Sequence, residues 1–239
     1  MEQFNISVEN PWLKLVEDDG FIAECDRNAF PNNLSAAQYS VIINNENKEI
    51  GLTFSCLPDP FCGNPLSKVY CLNMNPGKPD PCFSDENSFK DATVKNLRLE
   101  QDSCFWAEDI KNECGKSHDG IEWMKRRTMQ LKKILGKHPD IFFVEYFPYH
   151  SSKGFKYPSY LPSYDFTDAL IEKAMKEDKL IIIMREKKGW LKRIKGLSDY
   201  HNLCCLKCAQ GGYLTPANII RVGTNNPLSV DEIKECFRL

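Results

Sequence analysis

The sequence predicts an α/β fold: a three-layer sandwich with a short, mainly parallel four-stranded sheet and helices on both faces. Four short runs, 69–72, 141–147, 180–184 and 203–206, are rich in aliphatic, β-branched and aromatic residues and read as buried strands. Stretches with apolar residues at helical spacing lie between them. That alternation means βαβ units, hence parallel strands covered on both sides. In open sheets of this kind the ligand crevice lies at the carboxyl ends of the strands.

Along the chain, Asn10-Pro11 opens a first helix, with Trp12, Leu15 and Val16 on one side. A second helix is expected from Ser35 through Ala36, Ala37, Tyr39, Val41 and Ile42. Residues 1–56 thus read as a helical extension packed on a core of residues 57–239, one structural domain overall. Residues 57–65 crowd three prolines and a glycine and form a loop that leads to the central strand. That strand, Val69-Tyr-Cys-Leu72, runs straight into Asn73-Met74-Asn75-Pro76-Gly77. Pro76 fixes φ there, and Gly77 can take backbone angles other residues avoid.

The polar segment up to Gly120, with Pro79, Pro81, Phe83, Phe89, Phe105 and Trp106, shows no regular pattern. It is either a functional loop or an idle insertion. The clearest helix covers 121–135, where Ile121, Met124, Thr128, Leu131 and Leu135 form one stripe. Lys125, Arg126, Lys132 and Lys133 sit elsewhere on its cylinder, as a solvated face or a nucleic-acid contact. The second strand carries Glu145 in an otherwise apolar run and continues into Pro148, Tyr149, His150 and Ser151. A buried carboxylate there needs a partner or a function.

After an aromatic, proline-rich loop at 157–164, Asp165 to Asp168 are expected to cap a helix bearing Phe166, Leu170, Ile171 and Ala174. The third strand leads to Arg185 and a helix holding Trp190, Leu191 and Ile194. The cysteine-rich fourth strand leads to a last loop, 208–218. Ser229-Val-Asp-Glu232 is a capping box for the closing helix.

With 42% hydrophobic and 11% aromatic residues, the 239-residue chain can bury a sizeable core, which excludes a disordered protein. A net charge of −2 excludes a histone-like binder but leaves room for a local basic face within 116–193. No apolar run approaches the roughly 18 residues of a membrane span, and residues 1–20 lack a signal-peptide core. A soluble cytoplasmic protein with no membrane partner is expected. Its eleven cysteines follow no disulfide framework and read as reduced thiols, several in the core. Cys205 and Cys208, with Cys204 adjacent, make the one ligand-like pair, and His118, His138, His150 and His201 offer no matching spacing. No metal or other cofactor is expected, and a metal- or redox-dependent protein centred on these cysteines stands as an alternative.

In their order, these signals resemble the uracil-DNA glycosylase superfamily. The Leu57-to-Pro65 lead-in, the strand and then Asn73-Met-Asn-Pro-Gly77 look like the first motif of its mismatch-specific and single-strand-selective branches, which reads Gly-Met/Ile-Asn-Pro-Gly. The resemblance spans roughly 57–222. It implies a uracil-DNA-glycosylase-like fold and hydrolysis of the N-glycosidic bond of a damaged or modified base in DNA. Asn75 would be the catalytic residue, positioning the attacking water. Candidate substrate-binding residues are Asn73, Met74, Pro76 and Gly77 beside it, Glu145, Tyr149, His150 and Ser151 after the second strand, Arg185 after the third, and Tyr213, Thr215 and Asn218 in the last loop. The basic helix, with Tyr149, Tyr157, Tyr160 and Tyr213, would supply phosphate contacts and stacking surfaces for DNA or a nucleotide.

The chain departs from the family where it matters. Glu145 stands where the family has a base-reading Asn; a carboxylate only accepts hydrogen bonds, so a base presenting only donors is expected to fit better than uracil. The family's final motif, His-Pro-Ser-Pro or Asn-Pro-Ser, is replaced by Cys208-Ala-Gln-Gly211 ahead of Tyr213-Leu-Thr-Pro-Ala-Asn218, with no histidine for a departing base anion. Pro148-Tyr149-His150 copies letters of another branch's first motif but follows the wrong strand. A catalytically inactive member of the same fold, binding nucleic acid, nucleotide or a protein partner, is the alternative.

Overall fold

The computed structural model describes residues 6–17, 21–30, 52–53, 56–77, 87–111, 115–151 and 158–237. The expected helix from Ser35 to Ile42, Tyr157, and Pro79, Pro81 and Phe83 lie outside the described residues. The strands are β1 (Leu52–Thr53), β2 (Phe61–Cys62), β3 (Val69–Leu72), β4 (Phe142–Val144), β5 (His150–Ser151), β6 (Leu180–Ile183), β7 (Leu203–Leu206) and β8 (Ile219–Arg221). The helices are α1 (Trp12–Glu17), α2 (Asn87–Leu97), α3 (Asp119–Leu135), α4 (Tyr164–Lys176), α5 (Lys187–Arg193) and α6 (Val230–Cys236).

The fold is α/β, but its sheet corrects the sequence expectation. It has six strands, not four, and is mixed, in the order β2-β4-β3-β6-β7-β8. The four expected strands pair in parallel, and β2 and β8 add antiparallel edges. Both edge strands come from segments of two and three residues, too short to show a period of their own. A further antiparallel pair joins β1 to β5, with Leu52 opposite Ser151 and Thr53 opposite His150.

The pleat sorts side chains into two buried clusters. Tyr70, Leu72, Phe142, Val144, Ile181 and Ile183 join Trp12, Phe166, Leu170, Ile171 and Trp190 from α1, α4 and α5. Their neighbours Val69, Cys71, Phe143, Leu180 and Ile182 join Ile121, Met124 and Leu131 of α3 and Ile233 of α6. Apolar residues on both faces are why these strands read as continuous runs rather than as alternation.

Local differences have local causes. The regular strand ends at Val144, although the next amides still reach its neighbours: Glu145 donates to the carbonyl of Pro60, opposite it in the β2 register, and Phe147 to that of Met74. The segment read as patternless contains α2, whose buried face is largely polar. Asn96 donates to the Phe61 carbonyl and accepts from the Gly63 amide at 3.1 Å, so no apolar stripe marks this helix. Asp165 and Asp168 do not cap α4, which begins at Tyr164 with Ser163 before it. Asp168 instead pairs with Arg193 at 2.8 Å. The capping box at Ser229 and Glu232 forms as read, and Asn10 Oδ1 accepts from the Trp12 amide at the start of α1. Among the described residues no helix is long and apolar enough to cross a membrane.

Gly63 turns the chain out of β2 at φ 113°, and a Cβ there would sit 2.6 Å from the Ile141 carbonyl oxygen. Replacing it by alanine combines backbone strain with a clash against a fixed carbonyl. Gly63→Ala is expected to cost about 3 kcal/mol, read as a lower midpoint in urea unfolding with an unchanged slope.

Candidate functional site

A cavity of about 460 Å³ opens where β3, β4 and β6 end. Five stretches build it: Asp59, Phe61 and Cys62 from the lead-in and β2, the loop of residues 73–77 after β3, Glu145 and His150 after β4, Arg185 after β6, and side chains, mainly aromatic, from the region of α2 and α3. Parallel strands point their carboxyl ends the same way, so chain segments remote in sequence meet at this edge.

The 73–77 loop is pinned at each step. The Asn73 amide donates to the Val144 carbonyl at 2.8 Å, and the Asn73 carbonyl accepts from Trp190 Nε1 at 2.8 Å. The Met74 carbonyl accepts from Phe147 N, and that of Gly77 from Ser151 N at 3.0 Å. Gly77 has φ 83°, the left-handed region that glycine enters without a steric cost. Asn75 Nδ2 donates to Ser151 Oγ at 2.9 Å and to the Ser151 carbonyl at 3.2 Å, which fixes the side chain's rotamer at the cavity wall.

Two contacts set the electrostatics, one hydrogen bond and one ion pair. Asn73 Nδ2 donates to Glu145 Oε1 at 3.2 Å. Burial, aided by the negative Asp59, pushes the Glu145 carboxyl up to about 8, against the opposing pull of Asn73, His150 and Arg185. The carboxyl is therefore neutral over most of the physiological range. His150 presents Nε2 to Asp59 Oδ2 at 3.3 Å and Nδ1 to the Gly77 carbonyl at 3.2 Å. Burial disfavours its charge, but Asp59 and Cys56 outweigh that and raise it to about 10. With an acceptor at each nitrogen, the ring is an imidazolium.

The walls are aromatic. Phe89 lies 5.2 Å from Trp106 and 4.5 Å from the His118 ring, and Trp123 packs edge-on against Phe143. Arg126 from α3 completes this side of the lining.

Of the residues expected in a site, Asn73, Met74, Asn75, Pro76, Gly77, Glu145, His150 and Arg185 line this one cavity. Ser151 stands behind it, holding Asn75. Tyr149 corrects its expected role as a stacking surface. It is 1% exposed, its hydroxyl donates to Asp26 Oδ2 at 2.6 Å, and it belongs to the core. Tyr213, Thr215 and Asn218 lie outside the lining. Tyr213 is exposed beneath the Arg127 guanidinium, 4.7 Å away, whereas Asn218 ties the last loop together through Cys208 and Tyr213. The Thr215 carbonyl accepts from the amides of Asn218 and Ile219. Tyr160 is exposed and donates to Asp165.

Asp59, His118, Trp123 and the aromatic contribution of Phe89 and Trp106 escaped the sequence reading. Asp59 sits in the lead-in already singled out, so its place beside His150 could have been sought; Phe89 and Trp106 lay in a segment without a period, and Trp123 lay outside the apolar stripe read on its helix. Cys204 and Cys205 point to opposite faces of the sheet, into different clusters, and Cys208 is exposed. Among the described residues no group of three or more His, Cys, Asp or Glu side chains could hold a metal ion. Among known proteins, no family model, no curated protein and no solved structure matches this chain.

Glu145 has a folded-state value above its ordinary 4.5, so its contribution to stability is full below that pH and is lost as pH rises through about 8. His150 acts in the same direction between its ordinary 6.5 and about 10. The thermal midpoint is expected to fall as pH rises from about 5 to about 9. In Glu145→Gln the fall below His150's ordinary 6.5 is expected to disappear, and the fall between there and about pH 8 to shrink to the His150 part, as calorimetry across the range would read.

Proposed function

We propose that this cavity receives a nucleobase taken out of a nucleic-acid strand, and that the chain is a divergent, uracil-DNA-glycosylase-like protein that hydrolyses the base's N-glycosidic bond. One observation carries the reading: the Asn73-to-Gly77 loop, with Asn75 held by Ser151, forms one wall of a cavity whose other walls are the flat rings of Phe89, Trp106 and Trp123. A base in a duplex cannot be reached in the stack, so such a protein extrudes it or takes a single strand, and aromatic walls recover the lost stacking. In this reading Asn75 orients the attacking water. The His150 imidazolium, with Arg185 and Arg126, makes the cavity favourable for the negative charge that develops on a departing base.

A second reading, the same pocket used for binding alone, is favoured by the commitment of both His150 nitrogens. With Nε2 on Asp59 and Nδ1 on the Gly77 carbonyl, neither N–H is aimed at a leaving group.

A cleavage panel separates the two. Single- and double-stranded oligonucleotides carrying uracil, deaminated purines or alkylated bases are incubated with wild type and Asn75→Ala. Abasic sites formed by wild type, with the rate lowered by about 100-fold or more in Asn75→Ala, are expected for the hydrolase. Salt-dependent retention of the same oligonucleotides without cleavage would assign binding alone. Neither cleavage nor retention would exclude nucleic acid as the ligand.

A further inference from the structure

The cavity floor holds two polar groups that share one hydrogen bond and lack another. Asn73 Nδ2 donates to Glu145 Oε1. Asn73 Oδ1 and Glu145 Oε2 are enclosed, and among the described residues neither meets a hydrogen-bond partner. An enclosed acceptor left unpaired has lost its hydration with nothing in return, and here there are two. A carboxyl and a carboxamide are planar forks of the same bite, so two of them joined at one end meet at the other when their planes align. One proton on Glu145 Oε2, donated to Asn73 Oδ1, satisfies both orphans and closes a ring of two hydrogen bonds.

We propose that Asn73 and Glu145 form this acid–amide pair, and that its remaining edge selects neutral planar heterocycles carrying a donor beside an acceptor. The selectivity rests on the reading of the cavity as a base site. Both side chains line the cavity, and the two orphaned oxygens have no accessible surface. What they can show a ligand is therefore the other side: the second Nδ2 hydrogen and the second lone pair of Oε1. A lactam, with C=O next to N–H, matches that edge. An amidinium, which only donates, does not. The preference is opposite to the one expected from an ionised Glu145.

The groups around Glu145 decide whether the proton stays. Asp59 from the lead-in loop favours it, while the bond from the Asn73 side-chain amide to Oε1, His150 on β5 and Arg185 after β6 oppose it. Cys62 on β2, His118 before α3, and Asp119 and Arg126 on α3 share the cavity. Burial outweighs the two cations, so the acid form persists at neutral pH and gives way above about 8.

Two one-ring probes that keep their own charge across the range test this: 2-pyridone, a lactam, and benzamidine, a donor-only cation. Their binding is followed by the fluorescence of the cavity tryptophans at about pH 6.5 and about pH 9, in wild type and Glu145→Gln, whose amide imitates the protonated acid. Wild type is expected to bind 2-pyridone about 10-fold more weakly at the higher pH and benzamidine more strongly. Glu145→Gln should bind 2-pyridone equally at both. A preference for benzamidine at the lower pH, or 2-pyridone binding by wild type that ignores pH, overturns the selectivity. The carboxyl carbon resonance of Glu145 in wild type locates the proton without any ligand or variant. A midpoint in the ordinary carboxylate range overturns the pair itself. A midpoint near 8 with neither probe bound at either pH overturns the base-site reading, and the selectivity falls with it.

Discussion

Asn73 is where the sheet becomes a site. Its amide extends the ladder one step past β3 by bonding to Val144, its carbonyl is held by the Trp190 indole, and its side chain meets Glu145. Three elements, β4, α5 and the segment after β4, are thus fixed to one residue at the carboxyl end of the central strand. The buried Trp190 has little freedom to move, so the peptide plane of Asn73 is set by core packing rather than by loop preference. The chain enters the Met74-to-Gly77 turn from a rigid starting point, and Asn75 inherits that rigidity.

The charge distribution follows from the same crowding. Enclosure favours neutrality for Glu145, yet five residues further along the chain His150 keeps a full charge. The difference lies in partners. His150 has the Asp59 side chain on one side and a carbonyl on the other, while Glu145 has an amide at one oxygen and no partner among the described residues at the other. A neutral acid and a charged imidazolium thus stand in one cavity, an uncharged edge beside an ion pair.

Much of the parallel core was legible because its strands are buried on both faces, and Val69 to Leu72 or Leu203 to Leu206 can hardly be anything but strands. The edges were not legible. Phe61–Cys62 pairs because the chain passes β4, not because two residues carry a pattern. Helix α2 stayed hidden because its buried face is spent on Asn96 and Thr93. Within the site, the turn residues Asn73 to Gly77 announce themselves by composition, whereas the aromatic wall depends on which rings the surrounding segment happens to face inward. Tyr149 shows the converse. A tyrosine after a strand looks like a ligand contact until a buried Asp26 claims its hydroxyl.

The antiparallel pairing of Leu52–Thr53 with His150–Ser151 ties the amino-terminal part of the chain to the wall that holds Asn75. Asp26 adds a second tether, accepting from Tyr149 and from the Ser163 amide. A chain shortened from its amino terminus past Thr53 would lose the partner strand of Ser151, and the slack would be felt at Asn75. The extension therefore behaves as a brace on the cavity, so changes in the first quarter of the sequence should reach the cavity's geometry without contacting anything bound there.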